Sequence, residues 1–221
     1  RQQNSFTSAT SIKSYLKNPF LFLFCIMTNF IPIFPLAIVV YPGEMLNLHI
    51  FEERYKQLIT ECYAGKKPFG ISPVINNEIA ETGTLVEITE IAEVYADGKM
   101  DIRTKGTEVF RILQVIEAIP EKLYSGAIVS YPANDTNRHD ILAQRVLTAI
   151  REMHKMLKVS KDFKKADPDI CSYDLSHHAG LTLEEEYELL GLLREDQRLE
   201  YLKRHLAKML PVLTSLEAVK D

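Results

Sequence analysis

Residues 34–55 read FPLAIVVYPGEMLNLHIFEERY, and a change of periodicity inside this stretch decides how the rest of the chain is read. Ile38, Val39 and Val40 form an apolar, β-branched run suited to a pleated surface, and Pro42 with Gly43 supplies the turn chemistry that ends it. The expected unit is a buried strand closed by a tight loop. Beyond Leu46 and Leu48 the apolar period lengthens from two to about 3.6. Phe51, Tyr55, Leu58, Ile59 and Cys62 then share one helical face, with Glu52, Glu53, Lys56 and Gln57 on the other.

Downstream the pattern is mostly that of strands. Residues 69–75 are a short apolar run, and residues 84–95 put Val86, Ile88, Ala92 and Val94 on one face against Glu87, Thr89 and Glu93. Asp97-Gly98 predicts a hairpin with a type I′ turn, followed by alternating Met100, Ile102 and Thr104. Two further strands are expected over 109–119 and 123–131, separated by Pro120. This many strands around one early helix suggest a small, highly twisted barrel. Residues 132–139, PANDTNRH, form a polar breaker segment, after which the period is helical. One helix should carry a mainly apolar stripe of Ile141, Leu142, Arg145, Val146, Ala149, Ile150, Met153 and Leu157, and a second should run near 170–179. A third should start at the capping box Thr182/Glu185, and a last helix should span 196–210, stopping before Pro211. The expected fold is α+β: a barrel over 29–133 with an inserted helix, then a helical bundle over 134–221.

The same residues carry a resemblance. FPL, YPGEMLNLHIFEERY, FGI at 69–71, ETGTLVEITEI at 81–91, Asp97-Gly98 and KGTEVFRI at 105–112 resemble, in order and spacing, the substrate-binding N-terminal domain of the Lon proteases. The likeness runs over about 31–210, and Asn47 stands where that family usually has proline. It implies a PUA-like barrel and assigns Pro35, Pro42, Gly43, Leu48, Phe51, Glu52, Arg54, Tyr55, Gly83, Gly98 and Gly106 to the architecture. It also implies a stand-alone member, since the ATPase and the Ser-Lys peptidase modules of Lon proteases lie downstream of this domain.

Composition narrows the function. With 46% apolar residues over 221 positions the chain can bury a sizeable core, and 26 basic against 30 acidic side chains give no general attraction for polyphosphate. Cys25, Cys62 and Cys171 form neither a CxxC pair nor an even set, which fits a reducing, cytoplasmic setting. Residues 1–28 read as an N-terminal extension, non-native or disordered, with Met27 as the natural initiator. Pro19, Pro32, Pro35, Pro42 and Asn29 interrupt the uncharged run between Lys17 and Glu44, so no membrane-spanning helix is expected there.

No residue constellation points to catalysis. A phosphate loop of the form G-x-x-x-x-G-K-[ST] does not occur; AGKKPFG and ADGKMD have the wrong spacing. Adjacent His177 and His178 diverge on a helix and cannot share a metal, and His49 lacks a nucleophile, so both suit structural hydrogen bonding better. Glu52 and Arg54, two apart, diverge on a helix, and either is expected to tie the helix start to the barrel. Glu184, Glu185 and Glu186 suit a helix N-terminus, and Lys161, Lys164 and Lys165 a solvated linker. The chain is therefore expected to be a non-catalytic module with no cofactor and no metal. It should bind unfolded or extended polypeptide, working as an adaptor or holder beside a separate protease or chaperone. Tyr41, Met45 and Leu46, in the loop before the helix, are the candidate contacts. A PUA-like RNA-binding protein is the alternative, and the acidic balance argues against it.

Overall fold

The computed structural model describes residues 28–137, 140–163 and 165–218. The expectations for residues 1–27, Met27 included, lie outside them. The chain lays down β1 (Thr28–Leu36), β2 (Met45–Ile50), α1 (Glu53–Gly65), β3 (Phe69–Ile75), β4 (Glu78–Ile79), β5 (Thr82–Val94), β6 (Met100–Ile116) and β7 (Gly126–Ser130). Helices follow: α2 (Asp140–Met156), α3 (Ser172–Ser176), α4 (Leu183–Gly191) and α5 (Glu195–Ala218).

The α+β class and the C-terminal helical bundle stand, but the expected barrel does not. The strands form one mixed seven-stranded sheet in the order β1-β7-β6-β5-β3-β4, with β2 branching off β6 and β1 also meeting β3 in parallel. A barrel closes its sheet and leaves no edge strand. Here β4 ends the path and β2 pairs with β6 alone. The branch arises because β6 is one continuous strand rather than two. Its first half pairs with β2 and its second half with β7, while β5 follows along its other side.

Local readings needed correction as well. Residues 38–40 are not a strand; they leave a bend at Ile38 as an irregular link that buries Val39 and Val40, between β1 and the turn that leads into β2. Met45 and Leu46, expected in a loop, belong to strand β2, in which Leu46 and Leu48 alternate with the exposed residues. Phe51 precedes α1 and is exposed, whereas Tyr55, Leu58, Ile59 and Cys62 do form its buried face. At the hairpin only Gly98 takes positive φ (78°), and Tyr95 bonds both Gly98 and Lys99, so the turn is a three-residue loop with a glycine bulge and not type I′. Helix α3 is shorter than the periodicity suggests, and α5 runs on through Pro211.

Three apolar clusters hold the molecule together. Phe34, Ile50, Tyr55, Leu58, Ile59, Phe69, Val86 and Ile102 pack α1 against the sheet, each such large side chain contributing about 1.5–3 kcal/mol on burial. Ile31, Ile33, Phe110, Ala127 and Val129 fill the β1–β7 side. The bundle core of α2, α3, α4 and α5 includes Val39, Tyr41 and Val109, so sheet and bundle share one interior. Among the described residues, no helix is long and apolar enough to cross a membrane.

Candidate functional site

The turn Tyr41-Pro42-Gly43-Glu44 is where sheet and bundle meet. Proline at the second position, glycine at the third with φ of 86°, and a 3.1 Å bond from the Glu44 N–H to the Tyr41 carbonyl make it a type II turn. It runs into a glycine bulge against β6: the Gly43 N–H donates to the Gly106 carbonyl and the Gly106 N–H to the Glu44 carbonyl, both at 2.8 Å. A Cβ at Gly106 would lie 2.2 Å from the Tyr41 carbonyl oxygen, so glycine there is what lets the turn seat.

The seated turn aims Tyr41 into the bundle. Its ring is buried, stacks on Tyr173 at 5.2 Å and faces His177 at 4.9 Å, and its hydroxyl donates to the Glu186 carbonyl at 3.1 Å. Burial, and next the nearby Glu186 carboxylate, raise its phenol pKa well above the ordinary range. Glu44 accepts from the Tyr41 N–H at 2.9 Å and meets His177 Nε2 at 3.1 Å; His177 Nδ1 meets Glu186 at 2.7 Å. Burial by itself lowers the His177 pKa, but the hydrogen bonds to Glu186 and Glu44 outweigh it and raise it to about 9. The imidazolium at the end of α3 thus bridges the turn to α4. Each ring nitrogen serves a different carboxylate, so the three side chains do not converge on a point where a metal would sit.

Beside this bridge lies a groove of about 440 Å³. Its apolar walls come from Tyr41, Met45, Phe163, Ile170 and Tyr173. Lys161, Lys165 and His177 on the rim are matched by Glu44, Asp162 and Asp174. Lys165 pairs with Asp174 at 2.8 Å, and Phe163 packs on His178 at 4.4 Å. Of the three sequence candidates, Tyr41 and Met45 line this groove. Leu46 points to the other face of β2 and packs on the core around α1.

The remaining motif residues are structural. Pro35 lies in β1 opposite Ser72 of β3, Pro42 and Gly43 make the turn, and Leu48 packs under β2. Gly83 faces Phe110, whose ring a Cβ would strike, and Gly98 closes the hairpin. Glu52 and Arg54 bond each other, at 2.7 Å and 2.8 Å, instead of reaching the sheet. Helical divergence does not apply to them, because Glu52 is the N-cap and has extended backbone angles. Asn47 fits where the resembled family has proline, since its N–H points away from β6 and carries no ladder bond. His49 Nδ1 pairs with Asp101 across the strands at 2.6 Å.

Sequence reading missed one feature altogether. Arg198 and Glu195 are fully buried, 2.9 Å apart, and Arg198 also bonds Ser172 Oγ, Asn134 Oδ1 and the carbonyls of Leu192 and Asp135. Spaced three apart on the apolar side of a helix, they are an E-x-x-R pair, the only signal the sequence carried.

Residues 31–208 match the family model of the ATP-dependent protease La (Lon) substrate-binding domain. The chain belongs to that family. The crystal structure of a Lon N-terminal domain protein from Xanthomonas campestris is similar, with 24% identity and a TM-score of 0.59 over 80% of this chain and 98% of that one. The N-terminal domain of the Mycobacterium avium complex Lon protease has a TM-score of 0.64 and 14% identity, over 82% of this chain and all of that one (100%). These likenesses show a shared fold. No protein of curated function matches the sequence. Residues 31–208 are thus a polypeptide-binding module of the Lon substrate-binding type, and among the described residues no group of three or more His, Cys, Asp or Glu could hold a metal.

Proposed function

We propose that this Lon-type module holds unfolded or extended segments of other proteins in the groove beside the turn at Tyr41, presenting them to a separate protease or chaperone. The observation that carries this reading is the groove's lining. Met45, 47% exposed, and half-buried Phe163 offer soft apolar contact over the buried Tyr41 ring, which accepts many side chains, on a scale of two or three of them. Three acidic groups offset the three basic ones around it, which suits polypeptide of mixed composition and disfavours a polyphosphate backbone. Replacing Met45 by Asp and Phe163 by Ala together should weaken binding of a reduced, carboxymethylated protein about tenfold in fluorescence anisotropy, with the thermal melt little changed. Unchanged affinity in a folded variant overturns the groove as the site.

A further inference from the structure

Strand β2 has one open edge. Its antiparallel register on β6, from Met45 opposite Lys105 to Ile50 opposite Met100, has no shift, and the bulge bond from Gly106 to Glu44 sets its phase. In an antiparallel ladder bonded and non-bonded pairs alternate. Leu46, Leu48 and Ile50 therefore direct their N–H and C=O groups at β6, and Met45, Asn47 and His49 direct theirs outward. Among the described residues, no hydrogen bond from any other element reaches those outward groups.

Proteins normally blunt such an edge with charge, proline, bulges or shortness. The other open edges of this sheet are blunted. The far end of β5, beyond its short pairing with β3, carries Glu87, Glu90 and Glu93 and shifts register twice against β6. Strand β4 has two residues, one of them Glu78. The β2 sequence, MLNLHI, has no Asp, Glu, Lys, Arg or proline, and its edge stays flat. Its inner face shows half-buried Leu46 and Leu48, so every second side chain of an added strand would lie beside them and extend the apolar layer. Its first residue, Met45, is also a wall of the groove.

We propose that the outer edge of β2 is a strand-addition site for extended polypeptide with apolar residues at alternate positions, which pairs with the backbone of Met45, Asn47 and His49. Such segments are the interior strands of other proteins, exposed when those proteins unfold. Backbone pairing supplies affinity that ignores sequence, and the Leu46–Leu48 face supplies a preference for alternation. The inference rests on the reading that the module binds polypeptide.

The test is hydrogen exchange by NMR on the whole chain, with a soluble decapeptide alternating valine and threonine as probe. The peptide should slow exchange at the Met45, Asn47 and His49 amides; those of Leu46, Leu48 and Ile50, already bonded to β6, report that the fold is intact. Asn47→Pro removes the central outward N–H without touching the β6 ladder, and should weaken binding about tenfold. A peptide N-methylated at alternate residues should lose as much against the unaltered protein. Binding that survives both changes, with protection confined to the groove, overturns the edge site and leaves the polypeptide-binding reading standing. Failure to bind either this peptide or a reduced, carboxymethylated protein overturns both. Protection of the three amides without peptide, at concentrations where sedimentation shows a dimer, overturns the proposal in favour of a second copy on the same edge.

Discussion

The two ends of the short helix α3 carry two polar clusters built from similar groups and put to opposite uses. At its start, Ser172 joins the Glu195–Arg198 pair, where all five guanidinium N–H groups have acceptors and the Tyr173 ring covers the guanidinium at 4.2 Å. At its end, His177 links Glu44 and Glu186 with its side chain 37% exposed at the groove rim. The first is closed and ties residues 134–135 to three helices. The second is open to water and joins the two halves beside the surface where a ligand would lie. Burial separates them: a charge taken out of water must be fully partnered, whereas one at a rim can exchange partners at small cost.

The closed cluster is the more fragile to cut. Arg198→Ala leaves the Glu195 carboxylate buried without its counter-charge, with only the two hydrogen bonds from Ser172, and is expected to cost about 3–5 kcal/mol in urea unfolding. Removing Glu195 as well, by Glu195→Leu, should cost less than the two single changes added together, because neither charge is then stranded. A loss below about 1 kcal/mol for Arg198→Ala would show that water already reaches the pair. An intermediate effect is expected from beneath the open cluster. Gly106→Ala forces a methyl group against the Tyr41 carbonyl and should cost about 1–3 kcal/mol. It should also weaken polypeptide binding, since the displaced turn carries Met45 with it; an unshifted melt would show that the turn yields freely.

What could be read in advance follows the range of the forces. The capping box at Thr182 and Glu185 forms with both bonds made, the Pro42-Gly43 turn stands where its dipeptide puts it, and the inner face of α1 follows the helical period. Each is decided by residues within a turn of one another. The branched sheet is not, because β6 accepts β2 and β7 on the same side only through a register set far away in sequence. Residues 38–40 misled for a related reason: a β-branched run signals burial in extended form equally well in a strand and in a connector. Tyr41 does stand in the loop before the helix, but its ring is drawn into the bundle by Tyr173 and by the Glu186 carbonyl, neither of which is near in sequence. Arg198 sits among Leu199, Leu202 and Leu206, and nothing in that pattern announces that five acceptors converge on it.

The smallest expected effect is the one that tests the open cluster as electrostatics. In the folded protein His177 holds its proton up to about pH 9, against an ordinary value of 6.5, so the folded state binds this proton more tightly than the unfolded chain does. The contribution is therefore fully present below about pH 6.5 and declines as pH rises through 9. Exposure of the side chain limits it to about 1 kcal/mol. Urea titrations of the native chain and of His177→Ala between those limits should show the gap between them closing as pH rises. Other groups add their own pH dependence, such as the Cys62 thiol, which burial pushes up to about 11 in the folded protein from an ordinary value of 9.0, but they are common to both proteins and cancel in the difference. A gap that stays constant with pH would mean that His177 holds the turn to α4 by packing on Tyr41, and the contrast with the buried Arg198 cluster would then be one of shape rather than charge.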